Sequence, residues 1–400
     1  MRSDARVMPA STDTLLARLL EGIAREEPRA VELRRRLHAH PELAHAERWT
    51  AEAVAAELPV PCTVDAGTGR LARVGAEHGR PVAVRAELDG LPIEERTNAP
   101  FRARNGAMHA CGHDVHMAAL VALARAAHAL ADELPAPLVV VLQPSEEAYP
   151  SGAQLLARGT LATTRPAAIV AAHVHPELTW GSVALDAGPI NAASDSVEIT
   201  VEGQPTHGAY PHRGRDPVLA LAQIVVSMHA QVGRRVDPLH PAIVNVGVIE
   251  GGGAENVIPH RARARAALRA YRDEDREALR RMAVEVVEGI AAAHGCRGSA
   301  EIIEGEPALE NDERIVGTAR ELLRSAGFAT APEWRSCGSD DMAFLGELAP
   351  LALAFVGLAG APGFAERPLH HPELLPPDAA VASVARAQAA LYLAAATLAS

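Results

Sequence analysis

The chain has 400 residues and a mass of 42.0 kDa, so at roughly 150 residues per domain it holds more than one small module. Hydrophobic residues make up 48% and charged residues 22%, which excludes wholesale disorder. The net charge of −12 argues against a nucleic-acid partner, because binding a phosphate backbone requires a basic face.

The amino-acid inventory excludes several further chemistries. The chain contains no lysine, so all 38 basic side chains are arginines. Schiff-base enzymes, pyridoxal-phosphate enzymes and phosphate-loop proteins all need a lysine and are therefore excluded. The four cysteines, at positions 62, 111, 296 and 337, form no Cys-x-x-Cys pair, which excludes zinc ribbons and thioredoxin-type redox sites.

Neither a targeting segment nor a membrane span is expected. Residues Met1 to Leu20 show no apolar core of signal-peptide length. The apolar stretch Leu348 to Phe364 is shorter than the roughly 20 residues that cross a bilayer, and it contains prolines. A reduced, cytoplasmic location fits best.

The first half of the chain alternates helical and buried-strand patterns. Such alternation predicts an α/β fold, with a mostly parallel sheet and helices on both faces. We assign residues 1–186 to the first part of a catalytic domain. The predicted elements are helices at 15–37 and 46–58, a strand at 81–86, a helix at 114–134, and strands at 137–142 and 167–172.

The pattern then changes to alternating polar and apolar residues, which is typical of half-exposed antiparallel strands. Residues 187–305 are predicted to form an inserted ferredoxin-like α+β satellite domain, a lid or dimerisation domain. Residues 306–400 return to the catalytic domain, with a strand at 351–356 and a helix at 378–398. The satellite elements are strands at 196–201, 242–249, 261–270 and 299–303 and helices at 216–232 and 273–294.

Side chains that can bind metal follow the predicted strands of the first domain. An open parallel sheet presents its ligand-binding edge at the carboxyl ends of its strands, so these groups should converge. Cysteine, histidine and glutamate together match the ligands of zinc. The candidates are Glu87, Asp89, Cys111, His113, Asp114, Glu146, Glu147, His173 and His175.

Each candidate also has a simpler interpretation. Cys111 could be a small buried hydrophobe, His113 a helix-capping or core histidine, and Asp114 a favourable charge at a helix N-terminus. Glu146 and Glu147 could be first-turn helix acids. Their joint occurrence favours a metal site. Adjacent strand residues point to opposite faces, so both glutamates must lie beyond the strand end that Pro144 marks, where one can bind metal and its neighbour can transfer protons.

These residues belong to short motifs spread over nearly the whole chain. The motifs are LHAHPEL at 37–43, RAELDGLP at 85–92, MHACGHD at 108–114, QPSEE at 143–147, HVHP at 173–176, THG at 206–208, NVIP at 256–259 and LHHP at 369–372. In their order they resemble the aminoacylase, hippurate hydrolase and indole-acetyl-amino-acid hydrolase family. Members of that family are dinuclear-metal amidohydrolases related to carboxypeptidase G.

The resemblance implies two divalent metal ions, zinc first, with manganese or cobalt as alternatives. It implies that Glu146 is the general base, and Asp89 is placed with the catalytic residues. His175 and His371 neighbour two of the implied ligands, and only the motif alignment favours His173 and His370 over them. The implied ligands are Cys111, His113, Glu147, His173 and His370.

The resemblance also assigns roles within the inserted domain. His207 would reach the reacting carbonyl, in dimers often from the neighbouring subunit; its alternative is a turn histidine. Asn256 and Arg269 would bind the substrate, Arg269 through the substrate carboxylate. Arg269 could equally be a solvated charge at a strand end. A homodimer through this domain is plausible, and a monomer stays open.

Three positions depart from the family pattern, and they concern the substrate pocket and the outer shell of the metal site. Glu87 stands where aspartate is common, Tyr149-Pro150 where glycine is common, and Ser339-Asp340-Asp341-Met342 where Glu-Asp-Phe is usual.

The expected activity is metal-dependent hydrolysis of the amide of a small-molecule N-acyl amino acid. This activity has two alternatives. The protein could be a dipeptidase or aminopeptidase that uses the same site, or a catalytically silent metal-binding relative. A serine hydrolase is disfavoured because no Gly-x-Ser-x-Gly motif occurs.

Overall fold

A computed structural model describes residues 11–399, which divide into two compact units. The first unit comprises residues 11–188, 310–334 and 341–399, and the second comprises 189–309 and 335–340. Residues 335–340 thus pack with the second unit, although the sequence analysis assigned them to the catalytic domain. Part of the segment considered for a secretion signal, residues 1–10, lies outside the described residues. The role of the inserted unit as a lid or dimerisation domain stays a prediction.

The helices begin and end close to the predicted positions. One exception is the helix predicted at 114–134, which ends at His128 and is followed by a short 3₁₀ segment before Pro135. Short 3₁₀ segments cover Ala131–Glu133, Pro211–Arg213 and Asp341–Glu347. The α-helices are α1 (Thr12–Ala39), α2 (Arg48–Ala55), α3 (His113–His128), α4 (Gly152–Ala157), α5 (Thr160–Thr164), α6 (Pro217–Arg235), α7 (Asp273–Ala293), α8 (Glu313–Ser325) and α9 (Ala379–Ala396).

The strands include all those predicted, together with shorter ones that the sequence analysis missed. They are β1 (Cys62–Asp65), β2 (Gly69–Val74), β3 (Val82–Glu87), β4 (Leu138–Gln143), β5 (Ala168–Thr179), β6 (Ser182–Ala184), β7 (Gly188–Asn191), β8 (Ala193–Glu202), β9 (Thr206–His207), β10 (Ala242–Gly251), β11 (Val257–Ile258), β12 (Arg261–Ala270), β13 (Arg297–Glu304), β14 (Leu309–Asn311), β15 (Ala329–Thr330) and β16 (Leu351–Ala359).

The first unit contains a sheet of eight strands in the order β1-β2-β4-β3-β5-β16-β6-β15. Its centre, β4-β3-β5-β16, is parallel throughout, which confirms the predicted mostly parallel α/β sheet. The hairpin β1–β2 pairs antiparallel at one edge. It escaped prediction because β1 is short and largely exposed, so it lacks the continuous apolar run of a buried strand.

Helices cover both faces of this sheet. Val82, Val84 and Ala86 of β3 belong to the core that includes α1, α3 and α9. Because strand side chains alternate, Arg85 points to the opposite face, where it bonds Asp341 at the start of a 3₁₀ segment. Helix α9 is apolar and long enough to cross a membrane, but 83% of it is buried within the protein, as expected of a core helix.

The second unit contains a four-stranded antiparallel sheet in the order β10-β12-β8-β13, packed against α6 and α7. Taken in chain order, its strands and helices alternate as strand, helix, two strands, helix, strand. This arrangement confirms the predicted ferredoxin-like satellite. Strand β12 shows why the sheet forms. Ala262, Ala264 and Ala266 face the core, and Arg261, Arg263 and Arg265 alternate with them on the exposed face.

Candidate metal centre

The turn that opens α3 places two of the candidate metal ligands side by side. Gly112 is the N-cap residue with φ 87°, a conformation that favours glycine. A Cβ atom at this position would lie 2.5 Å from Cγ2 of Val174, so the close approach to β5 also requires glycine. The flanking residues, Cys111 and His113, are both buried at the carboxyl ends of the parallel strands.

The predicted ligands converge in space. Among the described residues, five groups place all their possible ligand atoms within 4.8 Å of one another, and three of these groups consist only of predicted site residues. Cys111 belongs to two of these groups, so its sulfur lies between them. The three groups are Cys111, His113 and His173; Cys111, Glu147 and His370; and His113, Glu146 and Glu147.

Two distances within these groups match the separation of two ligands that bind one zinc ion. Sγ of Cys111 lies 3.4 Å from Nε2 of His173. Oε1 of Glu147 lies 3.4 Å from Nε2 of His370. Tetrahedral zinc with ordinary bond lengths would separate such sulfur–nitrogen and oxygen–nitrogen pairs by about 3.6 Å and about 3.4 Å. The geometry therefore fits a cation between each pair.

Hydrogen bonds to the protein fix which nitrogen of each imidazole faces the centre. Nδ1 of His113 donates to the carbonyl of Asp89 at 2.9 Å, and Nδ1 of His173 donates to the carbonyl of Val174 at 2.7 Å. Each ring therefore presents the lone pair of Nε2, the form that binds metal. Among the described residues, Nε2 of His113 and Oε1 of Glu147 are buried without a hydrogen-bond partner. Buried atoms of this kind need a polar partner, and their place among the other candidate ligands suits the binding of a cation.

The environment of Cys111 and His173 also favours a cation. Burial raises the pKa of the Cys111 thiol well above its ordinary value, and the nearby Glu147 raises it further. Burial lowers the pKa of His173 well below its ordinary value, so this ring is neutral. A divalent ion would stabilise the thiolate that the buried, partly acidic environment otherwise disfavours.

Asp89 connects the start of α3 to the carboxylate pair. Its backbone carbonyl accepts hydrogen bonds from Nδ1 of both His113 and His109. Its side chain is fully buried, and Oδ2 accepts the backbone N–H of Glu147 at 2.9 Å. Asp89 thus orients one candidate ligand through its backbone and another through its carboxylate.

The two adjacent glutamates both approach His113. Strand β4 ends at Gln143, and Pro144 precedes Ser145, which adopts a left-handed φ of 45°. Oε2 of Glu146 and Oε1 of Glu147 each lie 4.0 Å from Nε2 of His113. The turn after the strand therefore directs both carboxylates into one site, although they are neighbours in sequence.

The two histidines that spacing alone could not separate from the ligands lie outside the three groups. The ring of His175 packs at 4.2 Å from Trp334 and 5.8 Å from Phe355, and burial lowers its pKa to about 4. Nδ1 of His371 accepts the backbone N–H of Glu373 at 3.1 Å.

His116 is a residue of the site that the sequence analysis missed. Its Nδ1 donates to Glu87 at 2.8 Å, and its Nε2 accepts the backbone N–H of Val174 at 3.0 Å. Both nitrogens are used, so His116 is not placed to bind metal; it packs 4.4 Å from the ring of His173 instead. The three-residue spacing from His113 on one helix face was the available signal.

Two of the departures from the family pattern lie in one buried network. Arg85 donates to Glu87 at 2.6 Å and to Asp341 at 2.8 Å. Asp341 also accepts hydrogen bonds from Gln143 and from Ser151, the N-cap residue of α4. These unusual residues therefore support the sheet and the orientation of His116. Tyr149, by contrast, is exposed.

The remaining predicted site residues lie in the second unit. His207 is in β9 and is exposed; β9 pairs with β11, which Asn256 directly precedes. The backbone N–H of Gly208 donates to the carbonyl of Asn256 at 2.7 Å, so these two candidates are neighbours. Arg269 is half-buried on β12 and donates through Nη1 to the carbonyl of Cys337 at 2.9 Å.

Residues 83–393 match the family description "Peptidase family M20/M25/M40". The chain belongs to this family. The match covers most of the sheet, the candidate metal centre and the inserted unit, and it confirms the predicted class of enzyme, a hydrolase of amide bonds. As a member of this family with converging thiol, imidazole and carboxylate groups, the protein binds divalent metal.

Several curated relatives of this M20/M25/M40 chain are similar over most of their length. An N-acetyl-L-cysteine deacetylase from Bacillus subtilis is 33% identical over 86% of this chain and 83% of its own. A second B. subtilis protein, an N-acetylcysteine deacetylase, is 32% identical over 86% and 90%. An N-acetyldiaminopimelate deacetylase from Halalkalibacterium halodurans is 35% identical over 72% and 80%.

Solved structures match over nearly the whole chain. A putative aminohydrolase from methicillin-resistant Staphylococcus aureus has a TM-score of 0.88 and 27% identity, covering 94% of this chain and 98% of its own. A dinuclear metal-binding peptidase of the M20 family from B. subtilis has a TM-score of 0.81 and 28% identity, covering 92% and 98%.

Proposed function

We propose that this protein hydrolyses the amide of N-acyl amino acids and releases a carboxylic acid and a free amino acid. The observation that carries the proposal is the adjacent pair Glu146 and Glu147, which approaches two ligand groups joined by Cys111. The relatives named as deacetylases of N-acetylated amino acids support this substrate class.

We propose two divalent ions per chain, because two ligand groups share Cys111. The first would be held by Cys111, His113 and His173, and the second by Cys111, Glu147 and His370. A thiolate and imidazoles favour zinc, with manganese and cobalt as alternatives. When bound, such ions supply Lewis acidity that activates water and polarises a carbonyl.

Glu146 is proposed as the general base. Its carboxylate takes a proton from the attacking water and then donates it to the departing amine, as the amide C–N bond breaks. Its Oε2 lies 4.0 Å from Nε2 of His113, and the side chain is only 15% exposed. Proton transfer of this kind contributes about a hundredfold to ten-thousandfold in rate. Asp89 holds Glu147 and His113 in place for the same reaction.

The second unit is proposed to supply the groups that hold the substrate. His207 would donate to the oxyanion that forms on the acyl carbonyl, and Asn256 and Arg269 would bind the amino-acid part. The hydrogen bond from Arg269 to the carbonyl of Cys337 supports this role, because it orders the guanidinium while leaving other N–H donors for a carboxylate.

A homodimer through the second unit and a cytoplasmic location are also proposed. Strand β10 lies at the edge of its sheet, and apolar side chains on β10 and α6 are exposed: Ile243, Ile249, Val218, Leu219 and Val226. An exposed apolar edge of this kind favours pairing with a second chain. The four cysteines are free thiols, as expected in a reducing compartment. Light scattering coupled to size-exclusion chromatography measures the assembly.

The test is release of free amino acid by the purified full chain, reloaded with zinc after chelation. N-acetyl-L-cysteine, N-acetyldiaminopimelate and N-acetylmethionine are compared with dipeptides and tripeptides that carry a free amine. We expect metal-dependent turnover of the acylated substrates and much slower turnover of the peptides. Preferred cleavage of the peptides would favour the dipeptidase or aminopeptidase alternative. Metal binding without any turnover would favour a silent relative.

A further inference from the structure

The loop that carries Glu146 and Glu147 is closed by its own hydrogen bonds. This carboxylate-pair loop comprises residues 144–152. The hydroxyl of Ser145 donates to the carbonyl of Ala148 at 2.7 Å, and the N–H of Gly152 donates to the carbonyl of Ser145 at 2.9 Å. A Cβ atom on Gly152 would lie 1.6 Å from the carbonyl oxygen of Pro144, so the loop closes too tightly for any other residue there.

The second residue of this loop holds an unusual backbone conformation. Ser145 has φ 45°, in the left-handed region that L-residues other than glycine and asparagine rarely adopt. Such a conformation persists only where surrounding contacts impose it. The direction of the chain at Ser145 determines where the next two side chains, Glu146 and Glu147, point.

A buried carboxylate from a distant part of the sequence imposes this conformation. Glu47 is fully buried, and its Oε1 accepts the N–H of Ser145 at 2.8 Å and the N–H of His45 at 2.9 Å. Its Oε2 accepts the hydroxyl of Thr68 at 2.7 Å. The carboxylate of Glu47 thus accepts hydrogen bonds from Ser145, His45 and Thr68.

His45 adds a second contact from the same segment. Its φ is 64°, also left-handed, and its Nε2 lies 3.0 Å from the hydroxyl of Ser145. Because that hydroxyl already donates to Ala148, the imidazole is the donor in this hydrogen bond. Residues 45 and 47 thus hold both the backbone and the side chain of Ser145.

We propose that Glu47 is a positioning residue for Glu146 and Glu147, acting through the backbone of Ser145 with the help of His45. The inference rests on the proposed roles of the two glutamates as general base and metal ligand. Loss of the Glu47 carboxylate would leave the buried N–H of Ser145 and the N–H of His45 without this acceptor, and it would free Ser145 to leave its left-handed conformation. Both catalytic carboxylates would then shift together.

Glu42 provides a matched control in the same segment. Its carboxylate also accepts two backbone N–H groups, those of Trp49 at 3.3 Å and Thr50 at 2.7 Å, and the hydroxyl of Thr50 at 2.9 Å. These bonds hold the start of α2 and do not involve the carboxylate-pair loop. Substitution of Glu42 therefore removes a similar set of hydrogen bonds without touching Ser145.

The experiment compares Glu47→Leu, Glu47→Gln and Glu42→Leu in the zinc-reloaded full chain. Glu47→Leu should lower kcat by about tenfold to a hundredfold, the usual effect of losing a group that orients a metal-site residue, with little change in KM. Glu47→Gln should recover most of kcat, because its amide oxygen can accept both N–H groups while its NH₂ donates to a rotated Thr68 hydroxyl. Glu42→Leu should retain wild-type kcat even if its melting temperature falls.

Hydrogen–deuterium exchange of the metal-free chains gives a readout that does not depend on activity. Peptides that cover residues 144–152 should exchange faster in Glu47→Leu than in the wild type and Glu42→Leu. If the wild type hydrolyses no acylated substrate, the proposed function fails, and exchange alone decides the positioning role. Unchanged exchange in Glu47→Leu, or equal loss of kcat in Glu47→Leu and Glu42→Leu, would overturn the inference.

Discussion

The sulfur of Cys111 lies 3.4 Å from Nε2 of His173, and the other nitrogen of that ring is hydrogen-bonded to the carbonyl of Val174. The pair is thereby arranged as two ligands of one ion. Cys111 also lies within the group that contains Glu147 and His370.

Because Cys111 joins two groups, Cys111→Ala should lose both metal ions, whereas His370→Ala should lose one. The half-exposed side chain of His370 makes its loss the milder change for folding. Elemental analysis of metal per chain after zinc reloading and extensive dialysis measures this difference. Retention of two tightly bound ions by Cys111→Ala would contradict the shared role of the sulfur.

Glu146→Gln should retain its metal but lose turnover by about a hundredfold to ten-thousandfold, because the amide cannot accept a proton. The measurement is kcat for an N-acetyl amino acid beside metal content per chain. Glu147→Gln serves as the comparison, since it should lose metal as well as activity. A near-normal rate in Glu146→Gln would remove this residue from the role of general base.

His175→Phe should keep its metal and most of its activity, because the ring of His175 packs as a neutral aromatic group against Trp334 and Phe355. His173→Phe, two residues earlier on the same strand face, should lose metal. Metal content of the two variants, measured side by side, tests whether the right histidine was chosen. The opposite outcome would exchange their roles.

Arg269→Ala should raise KM for N-acyl amino acids by about tenfold to a hundredfold, the effect expected for a charge-assisted bond to a carboxylate. Arg265→Ala is the control, because this arginine lies on the same strand face but is exposed. Steady-state kinetics with an acylated amino acid and its methyl ester separates binding of the carboxylate from other effects. An unchanged KM would leave Arg269 with its contact to Cys337 alone.

Asp195→Asn should destabilise the second unit by about 3 kcal/mol, because it breaks buried ion pairs with Arg276 and Arg280. Glu202 lies on the same strand as Asp195 and forms an exposed ion pair with Arg297 of β13. Glu202→Gln breaks this exposed pair and should leave the free energy of unfolding nearly unchanged. Urea unfolding followed by circular dichroism measures both. An equal loss of unfolding free energy in the two variants would show that the ion pairs of the buried Asp195 stabilise the unit no more than the exposed pair of Glu202 does.

The carboxylate of Asp195 should also make the stability of the second unit depend on pH. Burial alone would raise the pKa of Asp195, but hydrogen bonds from Arg276 and Arg280 lower it below its ordinary value near 4. Below about pH 4 the unfolded chain therefore binds a proton that the folded chain does not, so stability falls as pH falls. Urea unfolding between pH 3 and pH 7 should show a smaller slope in Asp195→Asn.

The sequence by itself determined those features of the fold and of the candidate site that depend on local pattern. Continuous apolar runs such as Leu138–Gln143 identified the buried parallel strands, and the alternating arginines and alanines of β12 identified a half-exposed one, because side-chain burial imposes these periods. Cys111, His113 and the glutamate pair were predicted as site residues because ligand chemistry coincides in sequence with strand ends and a helix start. The choice of His173 over His175 needed the family motif, since both lie on one strand face.

Only the tertiary structure decided which hydrogen-bond partner each polar atom has. The use of both nitrogens of His116, and the hydrogen bonds of Glu47 to Ser145, join segments that lie far apart in the chain. Pattern and propensity report the environment of a residue, not the identity of a distant partner, so no local signal could reveal these bonds. The partners follow from the close packing of β3, β4, β5 and α3, and that packing fixes the direction in which each ligand points.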